Sequence, residues 1–158
     1  MKSARSRVIK SNADPTWRVG IVHSSFYPDE VGKLVDGAKK ELMRVGIAAA
    51  KITEYPVPGS FEIPLLGSVI AKEEKADALI GLGIIVEGQT NHAELLAQQS
   101  ARGIMDVQVK YGIPFAFEVL YVKKLRHAKA RCVGDDNKGV EAARAVLHSL
   151  ALIAKLRS

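Results

Sequence analysis

A nine-residue apolar run from Ala78 to Val86, further β-rich segments on either side of it, and helix-periodic stretches between them predict an α/β fold. Strands that alternate with helices favour a parallel sheet built from right-handed crossovers. The expected architecture is a three-layer α/β/α domain. Its core is a flavodoxin-like four-stranded parallel sheet, order 2-1-3-4, with helices on both faces.

The elements follow in order. Trp17 to Ser24 (WRVGIVHS) is rich in β-formers and supplies the first strand. Val31, Leu34, Val35, Ala38 and Leu42 recur at helical spacing behind Pro28, which suits the opening turn of a helix. Residues 49–57 read as a second short strand, ended by Pro56 and Pro58. Phe61 to Lys72 is helical provided that Pro64 lies in the first turn, where no N–H is needed. Ala78 to Val86 has the unbroken apolar pattern of a central strand covered on both faces. Asn91 to Tyr111 is a long helix stopped by Gly112-Ile113-Pro114. Phe115 to Leu120 is the fourth strand. A short helix near 123–131, a polar turn at 134–137 and a helix over 139–156 complete the chain.

At 158 residues the chain fits one globular unit, residues 16–158, behind a basic N-terminal arm, residues 1–15. Apolar residues make up 47% and charged residues 25%, which excludes a disordered or fibrous chain. The net charge of +6 is uneven. Lys2, Arg5, Arg7, Lys10 and Arg18 against Asp14 place +4 in the first 18 residues. The arm carries no interleaved aromatic residues, so a solvated tail is expected and no nucleic-acid partner. One cysteine, Cys132, excludes an internal disulfide framework and suits a reducing cytoplasm. The longest apolar run is too short to span a bilayer, so no membrane partner is expected.

Common catalytic motifs are absent. Gly81-Leu82-Gly83-Ile84-Ile85-Val86 starts like a dinucleotide fingerprint but has Val86 at the third glycine position, and no pair of Cys or His has metal-ligand spacing. Ligands of parallel sheets bind outside the carboxyl ends of the strands, which directs attention to the loops there. After Val86 come Glu87-Gly88-Gln89-Thr90, then Asn91 with Glu94 three residues on, the spacing of a capping box. His92 falls in the first helical turn, whose positive end favours a neutral imidazole able to act as a base. The N–H groups of Gln89, Thr90 and Asn91 can hold an anion such as phosphate. A solvated or capping histidine fits the same spacing. In Val57-Pro58-Gly59-Ser60-Phe61-Glu62-Ile63-Pro64, Gly59 permits a tight turn and Glu62 can accept hydrogen bonds from a polyol; an ordinary acidic first turn reads the same way. Phe26 either stacks on a flat heterocycle or packs as a buried staple.

Together VPGSFEIP (57–64), LGIIVEGQTNH (82–92) and NKGVEAA (137–143) resemble the lumazine synthase family, in order and in spacing relative to four βα units. The resemblance covers roughly residues 16–156. It implies condensation of 5-amino-6-(ribitylamino)uracil with 3,4-dihydroxy-2-butanone 4-phosphate to 6,7-dimethyl-8-ribityllumazine, phosphate and two waters, with no metal or organic cofactor. Carried over by position, His92 matches the proton-transfer histidine and Phe26 the aromatic that stacks on the pyrimidine. Ser60, Phe61 and Glu62 match the ribityl-binding segment. Ile84, Ile85 and Val86 match strand-end residues that hold the pyrimidine through backbone groups, while Gln89 and Thr90 match the loop that meets the phosphate-bearing substrate.

The resemblance also implies a homo-oligomer built on pentamers, extending in some members to sixty-subunit icosahedral shells, with sites between adjacent subunits. The neighbour would supply Phe117, Arg131 and Lys138, the last two for phosphate, a role suited to a planar guanidinium. Departures are local. Glu87 stands where many members carry Arg, and Tyr27 where Asn is usual. Tyr121-Val122-Lys123-Lys124 replaces a Thr-Thr-acidic pattern, and the connection from Arg131 to Asn137 is one residue short. Arg126 is therefore the alternative phosphate ligand, and a catalytically weakened flavin- or lumazine-binding shell paralogue is the alternative function.

Overall fold

A computed structural model describes residues 13–158. The basic arm lies, up to residue 12, outside the described residues. The chain runs β1 (Val19–Ser24), α1 (Pro28–Arg44), β2 (Ile52–Val57), α2 (Ile63–Lys72), β3 (Ala78–Val86), α3 (His92–Tyr111), β4 (Phe115–Val122), α4 (Leu125–Lys129) and α5 (Lys138–Arg157). The four strands form one sheet, all parallel, in the expected order β2-β1-β3-β4.

Period-two alternation on the strands divides the core into two layers. Ile21, Ile80, Leu82 and Leu120 pack with Leu34, Ala38 and Leu42 of α1 and with Ala143, Val146 and Leu147 of α5. Val22, Leu79, Phe115 and Val119 pack on the other face with Ile63 and Ile70 of α2 and Ala97 and Ile104 of α3. β3 sits between both layers, and all but its last residue are buried. Each such Leu or Ile contributes roughly 1.5–3 kcal/mol by leaving water.

Several boundaries differ from the sequence expectation, each for a local reason. β1 starts at Val19 because the Arg18 N–H donates to Asp77 at 2.7 Å and its guanidinium pairs with the same carboxylate, drawing residues 17–18 out of the strand. Residues 49–51 form a 3-10 turn, so β2 begins only at Ile52. Pro56 lies within β2, paired in register with His23, rather than ending it. β2 is an edge strand, where a missing N–H can face outward at no loss. β4 continues to Val122, because Ile85 and Val86 still offer it partners at Tyr121 and Val122.

Pro64 does fall in the first turn of α2, preceded by a 3-10 turn over Ser60–Glu62. Gly112 closes α3 in the left-handed region, with φ 60°, and Gln108 then accepts the Phe115 N–H at 2.9 Å to start β4. No described helix is long and apolar enough to cross a membrane.

Candidate active site

At the carboxyl ends of β1, β2 and β3 lies an open cleft of about 480 Å³. It gathers Phe26, Ser60, Phe61, Glu62, Ile84, Ile85, Val86 and His92, eight of the residues singled out from sequence. Ser24, Tyr27, Gly59 and Leu96 complete much of its wall. Leu96 was readable in principle: it stands one helical turn after His92 and shares its face.

The wall is fixed by main-chain ties. Ser25 donates to the Val57 carbonyl through both its N–H and its hydroxyl, at 2.9 and 2.8 Å, which joins the loop after β1 to the end of β2. The Ser24 hydroxyl accepts from the Phe26 N–H at 3.1 Å. Phe26 is 64% exposed, so it is not a buried staple; its ring is presented to the cleft. A Cβ at Gly59 would lie 3.4 Å from the Phe26 ring and 3.7 Å from Glu62 Oε2. Ring and carboxylate thus converge over a position that has no side chain. Tyr27 opens α1 at φ 52°, a left-handed conformation rare for a bulky residue and held at the edge of a ligand cleft. Ser60 is buried, its carbonyl accepting from Ser100 at 3.1 Å, and a Cβ at Gly83 would strike its hydroxyl at 2.4 Å.

β3 outruns β1. Their pairing ends at His23 opposite Leu82, so residues 83–86 have β4 on one side and, among the described residues, no strand on the other. The side chains of Ile84 and Ile85 are buried in opposite core layers, which leaves their backbone edge as the part that meets the cleft. Such an edge offers the donors and acceptors that a pyrimidine ring can match.

His92 is the first residue of α3 and is exposed at the cleft. The capping box expected from Asn91 and Glu94 does not form. Asn91 makes no side-chain cap, Glu94 accepts from Gln98 instead, and the Thr90 hydroxyl takes the His92 N–H at 3.3 Å. A serine or threonine two residues back caps a helix equally well, and here it competes successfully. Gln89 and Thr90 lie in the exposed loop beside the cleft without lining it.

The remaining expected residues lie elsewhere. Among the described residues, no lysine or arginine lines the His92 cleft. Arg131 lines a second cleft of about 480 Å³ along residues 119–123, at the end of β4, with His127, and its guanidinium donates to the His127 carbonyl at 2.7 Å. Arg126 is exposed on α4 and is not part of that wall. Phe117 is 41% exposed on β4, the other edge of the sheet. Lys138 opens α5, is ion-paired with Glu141, and donates its N–H to the Arg131 carbonyl at 2.9 Å.

Beside Lys138 stands a residue that sequence reasoning passed over. Glu118 is half-buried on β4, and burial pushes its carboxyl up to about 7, with Lys138 opposing and Glu141 reinforcing the shift. A single acid inside the apolar run FAFEVLYV was the available signal.

An apolar cleft with one aromatic face, one carboxylate, an unpaired strand edge and a histidine suits a flat polar heterocycle that undergoes proton transfer. Fold and site together define an α/β enzyme acting on a small molecule at the carboxyl edge of a parallel sheet. Comparison with known proteins specifies it further. The sequence model of 6,7-dimethyl-8-ribityllumazine synthase matches residues 16–154, and the chain belongs to that family. It is 36% identical over 142 residues to the 6,7-dimethyl-8-ribityllumazine synthase of Ruthia magnifica subsp. Calyptogena magnifica, covering 86% of this chain and 85% of that relative.

Proposed function

We propose that this chain condenses 5-amino-6-(ribitylamino)uracil with 3,4-dihydroxy-2-butanone 4-phosphate to 6,7-dimethyl-8-ribityllumazine, releasing phosphate and two waters. Family membership and the closely similar relative support the reaction. The observation that carries the assignment of roles is the cleft itself: Phe26, Glu62 and His92 share it with the free edge of β3, and no lysine or arginine among the described residues does.

Phe26 stacks on the pyrimidine, while the backbone of Ile84, Ile85 and Val86 pairs with its polar edge. Ser60, Phe61 and Glu62 receive the ribityl chain, Glu62 as acceptor. His92 moves protons as the amine adds to the ketone carbonyl and water leaves. Gln89 and Thr90 meet the phosphate-bearing substrate. A phosphate leaving group calls for fixed positive charge. Arg131 and Lys138 supply it, with Phe117, from a neighbouring copy in a homo-oligomer built on pentamers. Arg131 is favoured over Arg126 because it faces a cleft and is clipped to Lys138 through the backbone. The catalytic unit is residues 16–158, with the arm 1–15 outside it.

The direct test is incubation of the pure protein with both substrates while fluorescent lumazine is followed. Product at a rate well above the uncatalysed background is expected, and its absence overturns the reading. Phe26→Ala is expected to raise KM for the pyrimidine about threefold to tenfold, the scale of one lost aromatic contact. Because the ring is exposed, the melting temperature should stay where it is. An unchanged KM removes Phe26 from the site.

A further inference from the structure

We propose that Glu118 is a positioning residue for the phosphate-bearing substrate, acting through Lys138: with Glu141 it flanks the ammonium and sets the net charge that the phosphate group meets. The inference rests on the reading of Lys138 as a phosphate-side residue.

The placement follows from strand alternation. Leu120 and Val122 pack into the α1/α5 layer, and Ala116 packs against it, whereas Phe115 and Val119 belong to the α2/α3 layer. Glu118 therefore lies on the α5 side of β4. Its register partner is Leu82, and the residues that β3 presents to that layer, Ala78, Ile80, Leu82, Ile84 and Val86, are all apolar. The opening turn of α5 brings Lys138 and Glu141, which are paired with each other. α4 and the connection after it bring His127 and Arg131, which face residues 119–123. α3 packs on the opposite face. Among the described residues, the charged groups acting on Glu118 are thus Lys138 and Glu141.

An acid between apolar neighbours on an edge strand weakens the strand unless it has work there. The three groups together carry no net charge while Glu118 is protonated and a charge of −1 once it ionises. Its carboxyl titrates at about 7, so the change falls within the working range of an enzyme. As pH rises, the negative cluster competes for the Lys138 ammonium and repels a phosphate dianion. Affinity for the phosphate-bearing substrate should fall through neutrality, while the chemical step at His92 is untouched by Glu118.

The experiment compares the full chain with Glu118→Gln and, as a truncated alternative, Glu118→Ala, from about pH 5.5 to about pH 8.5 at fixed ionic strength. Both variants leave every other ionisable group of enzyme and substrate in place, so the ratio to the parent isolates Glu118. Below about pH 6 the KM values for the butanone phosphate should coincide. At about pH 8.5 the variants should show a KM about threefold to tenfold lower, the effect of one removed charge at short range. The pyrimidine KM and kcat should not move. Parallel KM curves for parent and variants overturn the proposal. Should no lumazine form at all, the reading of the reaction fails instead. Calorimetric titration with inorganic phosphate then decides the present point: its affinity must fall more steeply with pH in the parent, and equal slopes overturn it.

Discussion

Replacing His92 by Ala should slow lumazine formation by about 10²–10⁴ while leaving KM values and assembly nearly unchanged. His92 is exposed at the start of α3, so its removal opens no cavity and unpairs no buried group. Its own N–H bonds to Thr90, and that tie within the loop survives the substitution. The loss should therefore appear in kcat, as expected when a group acts mainly in the transition state. A rate within a fewfold of the parent would exclude His92 as the proton carrier. The same variant can test the shared site. If the cations come from a neighbour, mixed assemblies of His92→Ala and Arg131→Ala subunits contain some sites with both groups intact. Activity recovered on mixing supports the two-subunit site; none recovered rejects it.

Asn137→Ala should destabilise the fold by about 3 kcal/mol and lower the melting temperature by about 10 °C. Few side chains in the molecule are tied so fully. The Asn137 carbonyl oxygen accepts from the Gly139 and Val140 N–H groups at 2.8 and 3.4 Å, capping α5. Its amide donates to the carbonyls of Cys132 at 2.9 Å and of Lys33 in α1 at 3.1 Å. Loss of the cap costs about 1 kcal/mol. Lys33 sits inside α1 and keeps its helical bond, whereas the buried Cys132 carbonyl, left without the amide donor, costs about 1–3 kcal/mol more. Nothing can slide in to replace it, because α1 and α5 already touch. A Cβ at Gly139 would lie 1.9 Å from the Leu34 carbonyl oxygen, and one at Gly37 would meet Asn137 at 2.6 Å. Asn137→Asp keeps the cap and loses the donors, so it should fall between parent and Ala. Melting should be followed at fixed protein concentration, since assembly adds to apparent stability. A melting temperature equal to the parent's in the alanine variant would reject this account.

The parts of the fold readable from sequence are those where one signal decides. Ala78–Val86 is apolar throughout, and it is the strand buried on both faces. Val31, Leu34, Val35, Ala38 and Leu42 repeat at helical spacing, and every one of them is buried. The misplaced details are those where a partner far along the chain decides. Pro56 ends a strand in isolation, yet at the edge of a sheet it continues one. Asn91 and Glu94 have capping-box spacing, yet Thr90 wins the bond. Trp17 and Arg18 have strand composition, but Asp77, nearly sixty positions on, draws Arg18 away.

The candidate site divides in the same manner. Eight of its residues lie at the carboxyl ends of three strands or in the segments just after them, which parallel topology must bring to one edge, so order along the chain sufficed to gather them. Phe117, Arg131 and Lys138 belong to the far side of the sheet. Nothing in the spacing of a single chain says what they face, and the family resemblance alone suggested a partner for them. Glu118 escaped notice for another reason. Its chemistry depends on burial beside two particular side chains, and neither condition is written in a run of eight strand residues.

The main-chain bond between Lys138 and Arg131 also makes residues 133–136 separable from the rest. The bond closes the base of the connection, and the Asn137 amide fastens Cys132 within it. Val133 to Asp136 are left outside, all exposed to solvent. To a protein engineer this is a splice point with a sealed neck. A guest peptide grafted there would hang from the outside of the enzyme, and the two cations beneath it would keep their spacing.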